Sequence, residues 1–140
     1  MVPAPKSDAV ADLIARANEL ADGQRQAAIE LLTKARKTYP DDARLPYHLA
    51  LLYLDKMWWA DGLKQARAAI ALDPKLRSDP DLIKLVLKGF NTTKNYDWTL
   101  AKFLREDVGD AAKPYMEDTA KNHPNPIVRQ RATAELRRYK

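Results

Sequence analysis

Residues 43–74 read ARLPYHLALLYLDKMWWADGLKQARAAIALDP, and this stretch decides the fold. Leu49 and Tyr53 are four residues apart, a spacing that places them on one face of a helix. Gly62 lies in a second run of helix-forming residues, where the absence of a side chain allows two helices to approach closely. Pro74 ends that run, because proline cannot donate the next helical hydrogen bond. The stretch therefore predicts one complete helix–turn–helix hairpin.

The same order of features occurs once before in the chain. Apolar residues recur at helical spacing over residues 9–39, and Pro40 lies 34 residues before Pro74. The same offset pairs Ala28 with Gly62. A period of about 34 residues, with small residues in the second helix and a closing proline, resembles the tetratricopeptide repeat (TPR).

The turn between the two helices differs between the units. The TPR family places a glycine there, and Gly23 occupies that position in the first unit, where we expect it to end the first helix in a left-handed conformation. The second unit has Met57 instead, followed by Trp58 and Trp59. Because adjacent residues do not share a helix face, we expect one tryptophan ring to pack between the helices and the other to be partly exposed.

Later parts of the chain match repeat patterns more loosely. Residues 78–81, SDPD, resemble a helix-capping box with Asp in place of Glu. Further helices are predicted over 98–108, 110–123 and 127–139, with Gly109 as a break. The sequence HPNPIVRQRATAEL resembles the second half of a HEAT-type repeat through four residues, Val128, Arg129, Ala132 and Leu136.

These resemblances imply an all-α fold, a right-handed solenoid of antiparallel helix hairpins with seven or eight helices. Residues 9–140 would form one domain. Within it, residues 9–74 would hold two TPR units, residues 75–109 a degenerate hairpin and residues 110–140 a HEAT-like hairpin. Residues 1–8 are predicted to be a loose linker.

Composition excludes several classes of protein. The chain has 140 residues and no cysteine, so disulfides and thiolate metal sites are absent. No apolar run approaches the roughly 20 residues that span a bilayer, and the N-terminus lacks the apolar stretch of a secretory signal. We therefore expect a cytoplasmic protein.

Candidate catalytic groups do not form a recognisable set. The only histidines are His48 and His123, in different predicted hairpins, and no metal-ligand spacing occurs. The only serines, Ser7 and Ser78, lie outside any nucleophile elbow. The four glycines are isolated and make no phosphate loop. The sequence predicts no enzyme, no metal site and no cofactor.

The TPR resemblance implies a binding groove, since the first helix of each TPR unit lines the concave face. Carried over by position, the partner-binding residues are Leu13, Ala17, Leu20, Arg44, Tyr47, Leu51, Leu54 and Asp55. Such a groove is mainly apolar and would hold an amphipathic helix or an extended apolar peptide. In an alternative interpretation, Leu51 and Leu54 are buried core. Trp58 is a further candidate contact, because exposed tryptophan is enriched in binding hot spots.

One known TPR ligand is not expected here. Family members that grip a chaperone's C-terminal carboxylate use Lys, Asn and Arg at set positions of the first helix. The matching positions in this chain hold Leu13, Ala17 and His48. None of them supplies the required donor, so the resemblance does not extend to that ligand.

Positive charge is concentrated at the end of the chain. The net charge is +5, and residues 127–140 hold five basic residues and one acidic residue, which leaves +4 in that segment. On a helical wheel the arginines spread around the helix, while a phosphate-binding helix would concentrate them on one side. We expect a solvated outer surface that caps the end of a solenoid.

Three functions stay open at the level of sequence. The first is a protein-interaction scaffold that binds a helix or peptide, as the accessory domain of a larger bacterial regulatory protein. The second is a structural domain that docks within its parent chain or self-associates, although a monomer is favoured. The third is nucleic-acid binding through the basic last helix.

Overall fold

The computed structural model describes residues 8–92 and 97–139, and every regular element in those ranges is helical. The predicted all-α class is therefore confirmed. Eight α-helices follow one another in the described ranges: α1 Ala9–Ala21, α2 Arg25–Thr38, α3 Arg44–Asp55, α4 Trp59–Leu72, α5 Pro80–Thr92, α6 Asp97–Lys102, α7 Lys113–Asn122 and α8 Pro126–Leu136. The linker predicted before Asp8 and the last residue, Lys140, lie outside the described residues.

Consecutive helices pack as pairs. Contacts join α1 to α2, α3 to α4, α5 to α6, and α7 to α8. The odd-numbered helices also touch in chain order, since α3 contacts both α1 and α5, and α5 contacts α7. Three short elements connect the later pairs: a 3-10 turn Pro74–Ser78, a π-helical turn Phe103–Val108 and a 3-10 turn Gly109–Ala112.

Helix α3 is shared by two apolar clusters. Leu45, Leu49 and Leu52 pack with buried residues of α1 and α2. On its other side, Ala50 and Leu54 belong to a larger cluster that runs through α4 and α5 to α8. Helix α3 therefore lies between the two apolar clusters and contributes residues to both.

Glycines mark the closest helix crossings. A Cβ atom built on Gly62 would lie 2.5 Å from Leu54 Cδ2 and 3.3 Å from the Leu54 backbone nitrogen. On α5, a Cβ atom on Gly89 would lie 2.7 Å from both Trp59 Cη2 and Leu100 Cδ1. Since real Cβ atoms essentially never approach heavy atoms below 3.0 Å, any side chain at either position would force these neighbours to shift.

Side-chain caps and prolines set several helix ends. The Ala11 backbone N–H donates to Asp8 Oδ1 at 3.1 Å, so Asp8 caps α1 and belongs to the fold rather than to the linker. Asp79, not Ser78, caps α5, because its Oδ2 accepts the Leu82 backbone N–H at 3.0 Å. Pro80 follows in the first turn of that helix, as the capping pattern predicts.

The C-terminal helices depart from their predicted bounds. The helix predicted over 98–108 changes from α to π geometry after Lys102. Gly109 ends it with φ +80°, as predicted, and the next α-helix begins later than expected, at Lys113. The predicted solvated surface of α8 is partly wrong, because Glu135 is 6% exposed and forms an ion pair with Arg105.

The turn between α3 and α4 is a Schellman motif with a methionine, Met57, at its left-handed position. The Trp58 N–H donates to the Tyr53 carbonyl at 3.0 Å, and the Met57 N–H donates to the Leu54 carbonyl at 3.0 Å. Met57 lies in the left-handed region with φ 62°, whereas Gly23, for which the sequence predicted that conformation, does not. The expected separation of the two tryptophans is confirmed: Trp59 is buried, and Trp58 is 46% exposed.

We predict that Gly62→Leu destabilises the protein by about 2 kcal/mol or more, because the new side chain must enter the contact between Leu54 and α4. Thermal unfolding followed by circular dichroism measures the effect. Gly23→Ala is the matched control, since a Cβ atom there meets nothing within 4 Å. A melting temperature for Gly62→Leu as high as that of the parent would contradict the crossing.

Met57→Gly should stabilise the protein by about 0.5 to 1 kcal/mol, because glycine adopts the left-handed conformation without the cost that other residues bear. The Met57 side chain is 61% exposed, so little packing is lost. For a chain of this size we expect the melting temperature to rise by a few degrees, about 2 to 4 °C per kcal/mol. Met57→Ala keeps the unfavourable conformation and should give no increase. Equal melting temperatures for the two variants would refute this account of the turn.

Candidate partner-binding site

A depression of about 280 Å³ lies where the turn after α1 meets α3 and α5. Leu51 of α3 and Leu85 of α5 are half-buried apolar residues in its lining. They are 34 residues apart, so they occupy equivalent positions of the repeat period. The other lining residues are Asn18, Ala21, Asp22, Arg25, His48, Leu52 and Asp55. The depression thus combines an apolar floor with polar groups from α1, α2 and α3.

An ion pair closes one side of the depression. Arg25 Nη2 donates to Asp55 Oδ2 at 2.9 Å, and Arg25 Nη1 donates to the Leu52 carbonyl at 3.2 Å. These bonds join the start of α2 to the end of α3. Since the Asp55 side chain is about half exposed, the pair adds little stability, and its carboxylate stays accessible from the depression.

His48 gives the depression a neutral polar group. Burial lowers the pKa of His48, and the positive charge of Arg44 lowers it further. The imidazole is therefore uncharged at neutral pH, with one ring nitrogen able to donate and the other able to accept a hydrogen bond. Its ring meets the Tyr47 ring edge-on at a centroid distance of 5.2 Å, which fixes its orientation.

Tyr47, a predicted groove residue, has a different contact. Its hydroxyl donates to Asp79 Oδ2 at 2.6 Å, and its ring packs against the larger apolar cluster. Burial raises the pKa of Tyr47, and the hydrogen bond to Asp79 raises it further. Because Asp79 also caps α5, the Tyr47 hydroxyl ties α3 to the start of the next odd-numbered helix.

Arg44 is likewise engaged within the protein. Its guanidinium bonds Asp8 Oδ2 at 2.7 Å and Asp42 Oδ2 at 2.7 Å. These hydrogen bonds lower the pKa of Asp42 and bring the pKa of Asp8 to about 2. Arg44 lines a separate hollow beside the turn that joins α2 to α3. It positions the start of α3 against the cap of α1.

Most of the other predicted groove residues lie in or against the core. Leu54 is 2% exposed, so for this residue the alternative interpretation as core is the right one. Ala17 is also buried, although it lies one repeat period before Leu51. Leu13 and Leu20 are half-buried and pack against the N-terminal cluster. Only Leu51 and Asp55 of the predicted set line the depression.

Sequence reasoning missed Leu85 and His48 as parts of this site. A signal for Leu85 was available, because extending the 34-residue offset once more from Leu51 leads to it. His48 had a signal too, because it occupies one of the first-helix positions that grip a ligand in members of the TPR family. Trp58, the remaining predicted contact, lies on the α3–α4 turn against Tyr53, with ring centroids 5.9 Å apart, and does not line the depression.

Within residues 8–92 and 97–139, His, Cys, Asp and Glu side chains form no group of three that could hold a metal ion. The helices in those ranges include none with the length and apolar character needed to cross a membrane. Comparisons of this chain with protein-family models, with curated proteins and with solved structures find no match.

Proposed function

We propose that this chain is a non-enzymatic interaction module whose odd-numbered helices hold a helix or peptide of a partner protein. The observation that carries the proposal is the depression in which Leu51 and Leu85 lie together at equivalent repeat positions. Two apolar side chains in line on adjacent helices suit apolar residues spaced along a bound segment. The polar groups around them would pair with the backbone or side chains of that segment.

A TPR-like solenoid is part of the same proposal. The paired helices, the contacts between successive odd-numbered helices and the glycine at the α3–α4 crossing are all compatible with a right-handed stack of hairpins. In such a stack the first helices of the hairpins form one continuous surface. We further propose that the module is cytoplasmic and serves as an accessory domain of a larger bacterial regulatory protein.

Nucleic-acid binding through α8 has less support than protein binding. Arg129 donates to the carbonyls of His123 and Pro124, and Arg131 donates to the Phe90 carbonyl at 2.7 Å. Both guanidinium groups therefore hold protein backbone in place. Phosphate recognition would instead use cationic groups that project together toward the ligand.

Capture from a lysate of the source organism tests the proposed site. The parent chain is compared with Leu51→Asp/Leu85→Asp, which places two carboxylates on the apolar floor. Ile127→Asp is the matched control, because Ile127 is an exposed apolar residue on α8. Each variant is first shown by circular dichroism to be folded. We expect the parent and the control to retain the same protein and the double variant to bind it at least about tenfold more weakly.

Equal retention by all three chains would place the site elsewhere. Capture of nothing except further copies of the chain would favour self-association over the scaffold. Recovery of nucleic acid, with retention that falls steeply as salt rises, would favour the α8 hypothesis.

A further inference from the structure

A second groove runs along α2 of the first hairpin. It encloses about 540 Å³ and is lined by one face of α2 together with Tyr53 of α3. The α2 residues are Gln26, Ile29, Glu30, Thr33, Lys34 and Lys37. From Gln26 to Lys37 the face covers three helical turns, about 16 Å at 1.5 Å per residue. No residue of this groove lines the depression between α3 and α5.

One end of the groove is aromatic. Tyr53 lies near the start of α2, because Arg25 contacts the neighbouring Leu52 and Asp55. The Trp58 ring packs on Tyr53, with ring centroids 5.9 Å apart, although Trp58 itself is not in the lining. The Schellman motif fixes this arrangement, since its two backbone hydrogen bonds set the direction in which Trp58 leaves the turn. Trp58 is 46% exposed at this position.

The other end of the groove is cationic. Lys34 and Lys37 are exposed on the last turns of α2 and form no ion pair with any residue in the described ranges. The one acidic group of the groove, Glu30, accepts a hydrogen bond from Gln26 Nε2 at 3.5 Å, near the aromatic end. Because the Gln26 amide is uncharged, it does not cancel the charge of Glu30, so a bound molecule meets one carboxylate near the aromatic end and two lysine ammonium groups at the other end.

From this arrangement we infer a docking surface for an acidic amphipathic helix of a partner protein. An apolar anchor of that helix would lie against Tyr53 and Trp58, and acidic residues would reach Lys34 and Lys37. Ile29 and Lys37 are separated by eight residue steps, about 12 Å along the helix, so anchor and acidic residues should be about two helical turns apart. The inference is independent of the proposed site on the odd-numbered helices.

An anionic membrane surface is the competing occupant, since tryptophan and lysine also favour that environment. Two features favour a protein. Glu30 lies within the groove, and Asp61 is close enough to Tyr53 to raise its pKa, in addition to the effect of burial. Both carboxylates would be repelled by acidic lipid. The surface is also a groove between two helices, which matches the shape of a helix better than that of a flat bilayer.

Selection of random peptides displayed on phage, with the full chain as target, tests the inference. We expect the selected peptides to combine an apolar residue with Asp or Glu about two helical turns away. A synthetic peptide of the selected sequence is then titrated by fluorescence anisotropy. Lys34→Glu/Lys37→Glu should weaken its binding about tenfold, and Trp58→Ala should do the same. Lys84→Glu/Lys121→Glu changes the net charge equally at exposed positions of α5 and α7 and should leave affinity unchanged.

A charge swap separates recognition from a loss of structure. A peptide with Lys in place of its acidic residues should bind Lys34→Glu/Lys37→Glu more tightly than it binds the parent. Selected peptides without acidic residues, or binding that is indifferent to both lysines, would overturn the inference. Loss of peptide binding in Leu51→Asp/Leu85→Asp would also overturn the inference. A chain that selects no peptide and uses these lysines to bind vesicles of anionic lipid would overturn it as well.

Discussion

The close contact between Leu54 and Gly62 sets how near α3 and α4 can approach each other. Helix α3 supplies residues to both apolar clusters, so its position relative to α4 sets how the two halves of the core face each other. That position depends on a glycine, because any side chain at residue 62 would occupy the space of Leu54. Once α3 and α4 are fixed, α1 and α5 pack against the two sides of α3.

The turn that follows α3 also determines where the two neighbouring tryptophans, Trp58 and Trp59, lie. Its left-handed residue, Met57, allows the chain to reverse within a few residues and sends adjacent tryptophans to opposite sides. Trp59 goes inward, where its ring lies against Gly89 and links α4 to α5. The Trp58 ring is on the outside and packs against Tyr53. The conformational cost of a non-glycine residue at this turn is offset by the packing of both rings.

The helices and the crossing could be predicted because they follow from local rules. Helical spacing of apolar residues, prolines after the helices and a small residue at Gly62 are all visible in the sequence. The accessible surface could not be predicted in the same way. Leu51 and Leu54 both fit the apolar spacing of helix α3. Only the packing of α4 and α5 decides that Leu54 is buried while Leu51 lines the depression. The π-helical turn also had no sequence signal, since residues 103–108 look like ordinary helix.

Net charge does not describe the surface of this chain well, because its arginines and lysines make different contacts. Several arginines join separate helices through their planar, multiply donating heads. These cross-links are Arg25 to Asp55, Arg36 to Gln65, Arg67 to Asp107, Arg105 to Glu135 and Arg131 to the Phe90 carbonyl. Each of these guanidinium groups has a partner within the protein, although exposed pairs such as Arg25 with Asp55 add little stability. Lysines such as Lys34 and Lys37 project into solvent, so the charge that a partner meets is set by lysine positions on individual helix faces. A count of charge over the C-terminal segment takes no account of such contacts, since Arg129 and Arg131 bond backbone carbonyls.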